Sequence, residues 1–198
     1  MSIVVEHEKR RYEILEKALD VFMDEGFEDV TFQKIADKCG ITRTTLYIYF
    51  KNKREIFNFS IKQLLQALEN DITEIEKRKE SSYQEKITRI MTVILDRLEK
   101  NNRLLSVIMN YLLYISKSGY DPASRVLRRT VRLRHFLTTM LVEGIKAGEF
   151  MSSINVKDAN ELLYSLLESA AFRLVVLRRT SVEELKEAME LVVQGFVR

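Results

Sequence analysis

The thirteen residues from Thr42 to Arg54 read TRTTLYIYFKNKR, with four cations, three threonines and no aspartate or glutamate. These side chains suit a particular chemistry. A guanidinium such as that of Arg43 can bridge the O6 and N7 acceptors of guanine, and threonine methyls can meet thymine methyls. Tyr47 and Tyr49 each offer an apolar ring with a polar tip. Lys53 stands at a helix start, where free amides and the helix dipole favour a phosphate. A core helix would be more apolar than this, and a solvated helix would carry more Glu and Lys. The segment is expected to meet something other than protein core or bulk water.

The charge is local. The chain carries a net charge of only +3, and Asp20, Asp24, Glu25, Glu28 and Asp29 offset most of the cations in its first sixty residues. A polyanion would be held at Arg43, Lys51, Lys53 and Arg54 and not over the whole surface.

The elements that must position these side chains read as helices throughout. Six glycines and one proline in 198 residues are few, and Leu, Glu, Lys and Arg dominate. Ile14, Leu15, Ala18, Leu19 and Phe22 recur at helical spacing between Glu8 and Met23, and Gly26 ends that helix. Thr31 caps a short helix to Cys39, Gly40 supplies the turn, and Thr42 caps the next helix to Phe50. Asn52 with Glu55 forms a capping-box pattern and opens a long helix toward Lys79. Ser82 with Glu85, Asp121 with Pro122, Asn155, and Ser181 with Glu184 open four more, with another over Leu104 to Ser116. The expected fold is all-α, with about nine helices and no strand.

Ala36, Gly40 and Leu46 stand where a helix-turn-helix needs a small residue at the crossing, a turn glycine and a buried aliphatic. Ile35, Cys39, Ile41 and Tyr49 fill its other apolar positions. With LYIYFKNK following, the stretch EGFEDVTFQKIADKCGITRTTLYIYFKNKREIF resembles the DNA-binding segment of the TetR family of bacterial transcriptional regulators. The likeness runs from Ile14 to Phe57. It implies an N-terminal helix-turn-helix domain over residues 1–52, joined by a long helix to an effector-binding and dimerisation domain over 53–198. It also implies that Thr42 to Tyr49 form the recognition helix, which enters the major groove. Arg43, Thr44, Thr45 and Tyr47 then face DNA, Tyr49 and Lys53 meet phosphates, and Thr31 and Gln33 make backbone or base contacts. Thr42 and Ile48 complete the set, Ile48 as a groove contact or a packing residue. Thr44 departs from the family, which often has a small residue there. Tyr49 also fits as a core residue with an exposed hydroxyl.

Other chemistry finds little support. One cysteine and two histidines exclude a disulfide and disfavour a zinc centre. Cys39 reads as a structural thiol. There is no phosphate loop and no nucleophile with a plausible base, so neither an enzyme nor a cofactor is expected. Only Ile3, Val4 and Val5 precede the first charges, which is no signal peptide, and no apolar run is long enough to span a membrane. A cytoplasmic protein is expected.

The C-terminal part carries the remaining expectations. Met91, Leu95, Met109, Tyr114, Phe136, Met140 and Tyr164 are candidates for lining a largely apolar effector pocket, although most such residues in any helical domain are core. Arg125, Arg128, Arg129, Arg132 and Arg134 read as a solvated face before an anion site. The last two helices carry more apolar surface than one core needs. Leu163, Leu167, Ala170, Leu174, Leu185, Met189, Val192 and Phe196 are therefore assigned to a homodimer interface, matching the four-helix bundle of the family. The partners expected are a double-stranded DNA operator, a second copy of the chain and a small-molecule effector.

Overall fold

The structure, a computed structural model, describes residues 3–78 and 81–198. Among the described residues it contains nine helices and one isolated β-bridge, Phe150 to Val197. The expected end of the long fourth helix at Lys79 lies outside the described residues. No helix described is long and apolar enough to cross a membrane.

Two compact units divide the chain: Met1–Ala67 with Val107–Tyr120, and Leu68–Ser106 with Asp121–Arg198. The first unit holds α1 (Ile3–Asp29), α2 (Phe32–Cys39), α3 (Arg43–Tyr49), the first part of α4 (Lys53–Lys77) and most of α6 (Asn102–Lys117). Asn52 marks the start of an element, while packing groups the first turns of α4 with the helix-turn-helix. Ile56 and Phe57 are buried in the same cluster as Ile14, Phe22, Ile35 and Leu46. Ser60, also buried, donates to the Leu15 carbonyl at 2.9 Å. Phe27 lies at the centre of an aromatic group, with ring centroids 5.2 Å from Phe57 and 4.5 Å from Tyr111. Gly26 breaks α1 just before it, at φ 80°.

The second unit is built from the rest of α4, α5 (Tyr83–Lys100), α7 (Pro122–Lys146), α8 (Val156–Val175) and α9 (Glu183–Gln194). Ser82 and Glu85 form the expected capping box, and Asp121 and Asn155 cap α7 and α8. The last helix begins differently. Val182 takes its N-cap position, where its buried isopropyl group has no oxygen with which to cap the helix. Glu99 of α5 supplies the missing acceptor instead, 3.0 Å from the Val182 amide. Glu149 does the same for α5, accepting from the amides of Tyr83 at 2.9 Å and Gln84 at 2.7 Å. Gly144 lets the turn before Glu149 close: a Cβ there would stand 2.3 Å from the Phe150 ring.

Candidate nucleic-acid interface

α2 and α3 are short, so local caps and a few buried anchors must hold them. Thr31 accepts from the Lys34 amide at 3.3 Å, leaving Gln33 exposed with its side chain donating to Asp37. Ala36 is fully buried where the helices cross, and Gly40 turns the chain at φ 68°. The Ile41 amide donates back to the Ala36 carbonyl at 3.0 Å. Thr42 then caps α3 by accepting from the Thr45 amide, and the two hydroxyls lie 2.8 Å apart. Leu46 and Phe50 are the anchors that seat α3 on the core.

The outer face of α3 is what the residue types suggested. Thr42, Arg43, Thr44, Tyr47 and Ile48 are exposed and Thr45 is half-buried. Ile48 leaves 70% of its surface in water and Tyr47 50%, so two large side chains project from a helix seven residues long. Ile48 therefore lies outside the core of its unit. Tyr49 is half-buried and stacks on the His7 ring at 4.6 Å. The pairing of His7 with Tyr49, 42 positions away, has no local signal in the sequence.

Lys53, expected at a phosphate, is engaged within the chain. Its ammonium donates to the carbonyls of Phe27 at 2.9 Å, Glu28 at 2.7 Å and Val30 at 2.9 Å. All three hydrogens are thereby engaged within the unit, and a phosphate could take one only by releasing a carbonyl. Burial pushes the Lys53 pKa down, opposed by Asp29 and Glu28. Arg43 on the outer face of α3 and Lys51 just after the helix are exposed. Burial raises the Cys39 thiol above its ordinary range, which keeps it protonated and fits its place in the core.

The family model for bacterial regulatory proteins of the tetR family matches residues 14–58, which include α2, α3 and the start of α4. A regulator from Bacillus subtilis, the uncharacterised HTH-type transcriptional regulator YfiR, is 30% identical over 158 residues, covering 75% of this chain and 72% of that protein. The chain belongs to the TetR family. A second relative, the fatty acid metabolism regulator protein of the same organism, is 24% identical over 79% of this chain and 78% of its own length. The crystal structure of FadR from B. subtilis in complex with stearoyl-CoA shares the fold, with a TM-score of 0.76 and 22% identity over 93% of this chain and 98% of that one. As a TetR-family member, the protein is a DNA-binding transcriptional regulator.

The structure divides the other assigned residues. Met91, Leu95, Phe136, Met140 and Tyr164 come together in the core of the second unit, while Met109 and Tyr114 belong to the first unit. The Arg134 guanidinium lies 3.8 Å from the Tyr164 ring centroid and pairs with Glu161, and Arg132 pairs with Glu69. These pairs favour the solvated-face reading of the α7 arginines. The residues assigned to the dimer interface divide between the chain's own core and partial exposure. Leu163, Leu167, Ala170, Leu174, Leu185 and Met189 are buried in the chain's own core, while Val192 and Phe196 are half-buried against it and keep part of their surface exposed. The large apolar side chains left exposed are Leu162, Phe172, Val176 and Leu177 at α8 and its end, and Leu191 on α9.

Proposed function

We propose that this regulator is a repressor that binds a palindromic or near-palindromic operator as a homodimer and is released by a largely apolar effector. The observation that carries the DNA-reading part is the exposed, acid-free outer face of α3. Arg43 and Thr44 are its base-reading residues, Tyr47 lies beside Arg43 on the same face, and Ile48 is its apolar groove contact. Thr31, Gln33 and Tyr49 flank it, and Lys51 adds a phosphate contact. A recognition helix lies in the major groove with its N-terminal side chains at the base edges, and these are the exposed ones on α3. The test is selection of bound fragments from random duplexes, followed by Arg43→Ala. That variant is expected to relax preference at one base position per half-site, costing about 1–3 kcal/mol there. A variant with unchanged preference at every position would remove Arg43 from the base-reading set.

For the effector, a relative named for regulating fatty acid metabolism and the FadR structure in complex with stearoyl-CoA favour a long-chain acyl thioester, whose apolar body suits a unit rich in apolar side chains such as Met91, Leu95, Phe136, Met140 and Tyr164. Stearoyl-CoA is expected to weaken the operator complex by roughly 5- to 150-fold, an ordinary allosteric coupling. By linkage, operator DNA must weaken stearoyl-CoA binding by the same factor. Titrating stearoyl-CoA, stearate and free CoA against the preformed complex separates the tail from the head. No response to any of the three would remove this effector class and leave the DNA-binding reading untouched.

A further inference from the structure

Arg43 and Tyr47 are four residues apart on α3 and so lie on one face. Arg43 Nη2 donates to the Tyr47 hydroxyl at 3.2 Å, and its guanidinium carbon stands 5.7 Å from the centre of the same ring. Tyr47 is held in turn. Its ring packs on Phe32 of α2, with centroids 4.6 Å apart and planes tilted by 31°. Phe32 is only 8% exposed and belongs to the core of its unit. A continuous path therefore runs from the core through Phe32 and the Tyr47 ring to the one guanidinium on the reading face.

We infer that Tyr47 is a positioning residue for Arg43, its hydroxyl held in place by Phe32 so that the guanidinium is already oriented toward one base. An unrestrained arginine samples many rotamers, and ordering it on DNA opposes binding. A hydroxyl that accepts one Nη2 hydrogen restricts that freedom while leaving other N–H groups of the planar fork for guanine O6 and N7. Specificity gains more than affinity, because a guanidinium locked toward one base loses its pairing when that base changes. This inference rests on the reading of α3 as the groove helix, and Phe32, which touches no DNA in it, becomes part of the specificity apparatus.

The test compares base preferences in randomised half-sites for the parent, Arg43→Ala, Tyr47→Phe and the double variant. Tyr47→Phe keeps the ring on Phe32 and deletes only the hydroxyl. It is expected to lower discrimination about three- to tenfold, at the position that Arg43→Ala relaxes. Melting temperature and affinity for non-specific DNA should be unchanged. In the double variant that position should be no more relaxed than in Arg43→Ala alone, since a positioning group has nothing left to position. An equal loss of affinity on every sequence would make the hydroxyl a phosphate contact, and a loss at another position would make it a base contact of its own. Either result, or no change, overturns the inference. If Arg43→Ala itself changes no preference, the groove-helix reading of Arg43 fails first, and the two failures are told apart.

Discussion

Placing Glu at Leu191 and Phe172 together should yield a folded monomer that has lost at least a hundredfold in operator affinity. Leu191 is 71% exposed and Phe172 51%, with Leu162 and Val176 also in water. At 100° per residue, Leu162, Ser165, Ser169, Phe172 and Val176 fall in one stripe of α8. The buried Leu163, Ala170 and Leu174 fall well away from it, on the side facing the chain's own core. Full burial of each large apolar side chain favours association by about 1.5–3 kcal/mol, and a stripe of them is more than the scattered apolar exposure of a monomer surface. A second copy related by a two-fold axis covers such a stripe with itself. Two linked reading heads gain 10²–10⁴ in avidity over one. The double variant forfeits that gain and should still melt as a folded chain, because neither side chain supports the core. Leu167→Glu is the contrasting control: that residue is 7% exposed, so the substitution should unfold the second unit. Sedimentation, circular dichroism and operator titration read all three variants. A double variant that sediments as the parent does and binds the operator equally would place the partner surface elsewhere.

The contrast between the two stripes shows what the sequence reveals and where it stops. Helix positions were legible because capping chemistry is local: Thr42 with Thr45, Ser82 with Glu85 and Asp121 with Pro122 act within one turn. The exposed outer face of α3 was legible for a related reason. Its residue types suit neither core nor water, and that mismatch survives without coordinates. The apolar surplus of α8 and α9 could also be seen, as a quantity. Which half of the surplus the chain covers for itself depends on the arrangement of α5 and α7 around α8, and periodicity carries no such information. Glu99 and Glu149 capping helices distant in sequence were invisible in the same way, since any exposed glutamate reads alike. The stack of Phe32 on Tyr47 needs two short helices to cross at a particular angle.

Lys53 joins the local and the distant, and its substitution tests which of two tasks it performs. Position alone argues for a phosphate contact at the start of α4. The structure points its ammonium the other way, into three carbonyls at the end of α1, where the break at Gly26 interrupts the helical hydrogen-bond ladder. Lys53→Met keeps most of the stem and removes every donor. Carbonyl groups left without a partner cost about 1–3 kcal/mol when buried. Lys53 is half-buried, so water recovers part of that, and a loss of about 2 kcal/mol in unfolding free energy is expected. Lys53→Arg should not restore it, because a planar guanidinium cannot direct three hydrogens at a cluster that an ammonium tip reaches. The bonds tie the end of α1 to the turn following α3, so DNA affinity should fall for specific and random duplexes alike, with base preference kept. Salt dependence separates the tasks. Removing a phosphate contact would lower the slope of log affinity against log salt by about one charge per subunit. Removing an internal clamp leaves that slope unchanged and moves the denaturation midpoint. A Lys53→Met protein as stable as the parent, with a shallower salt slope, would return Lys53 to the DNA backbone.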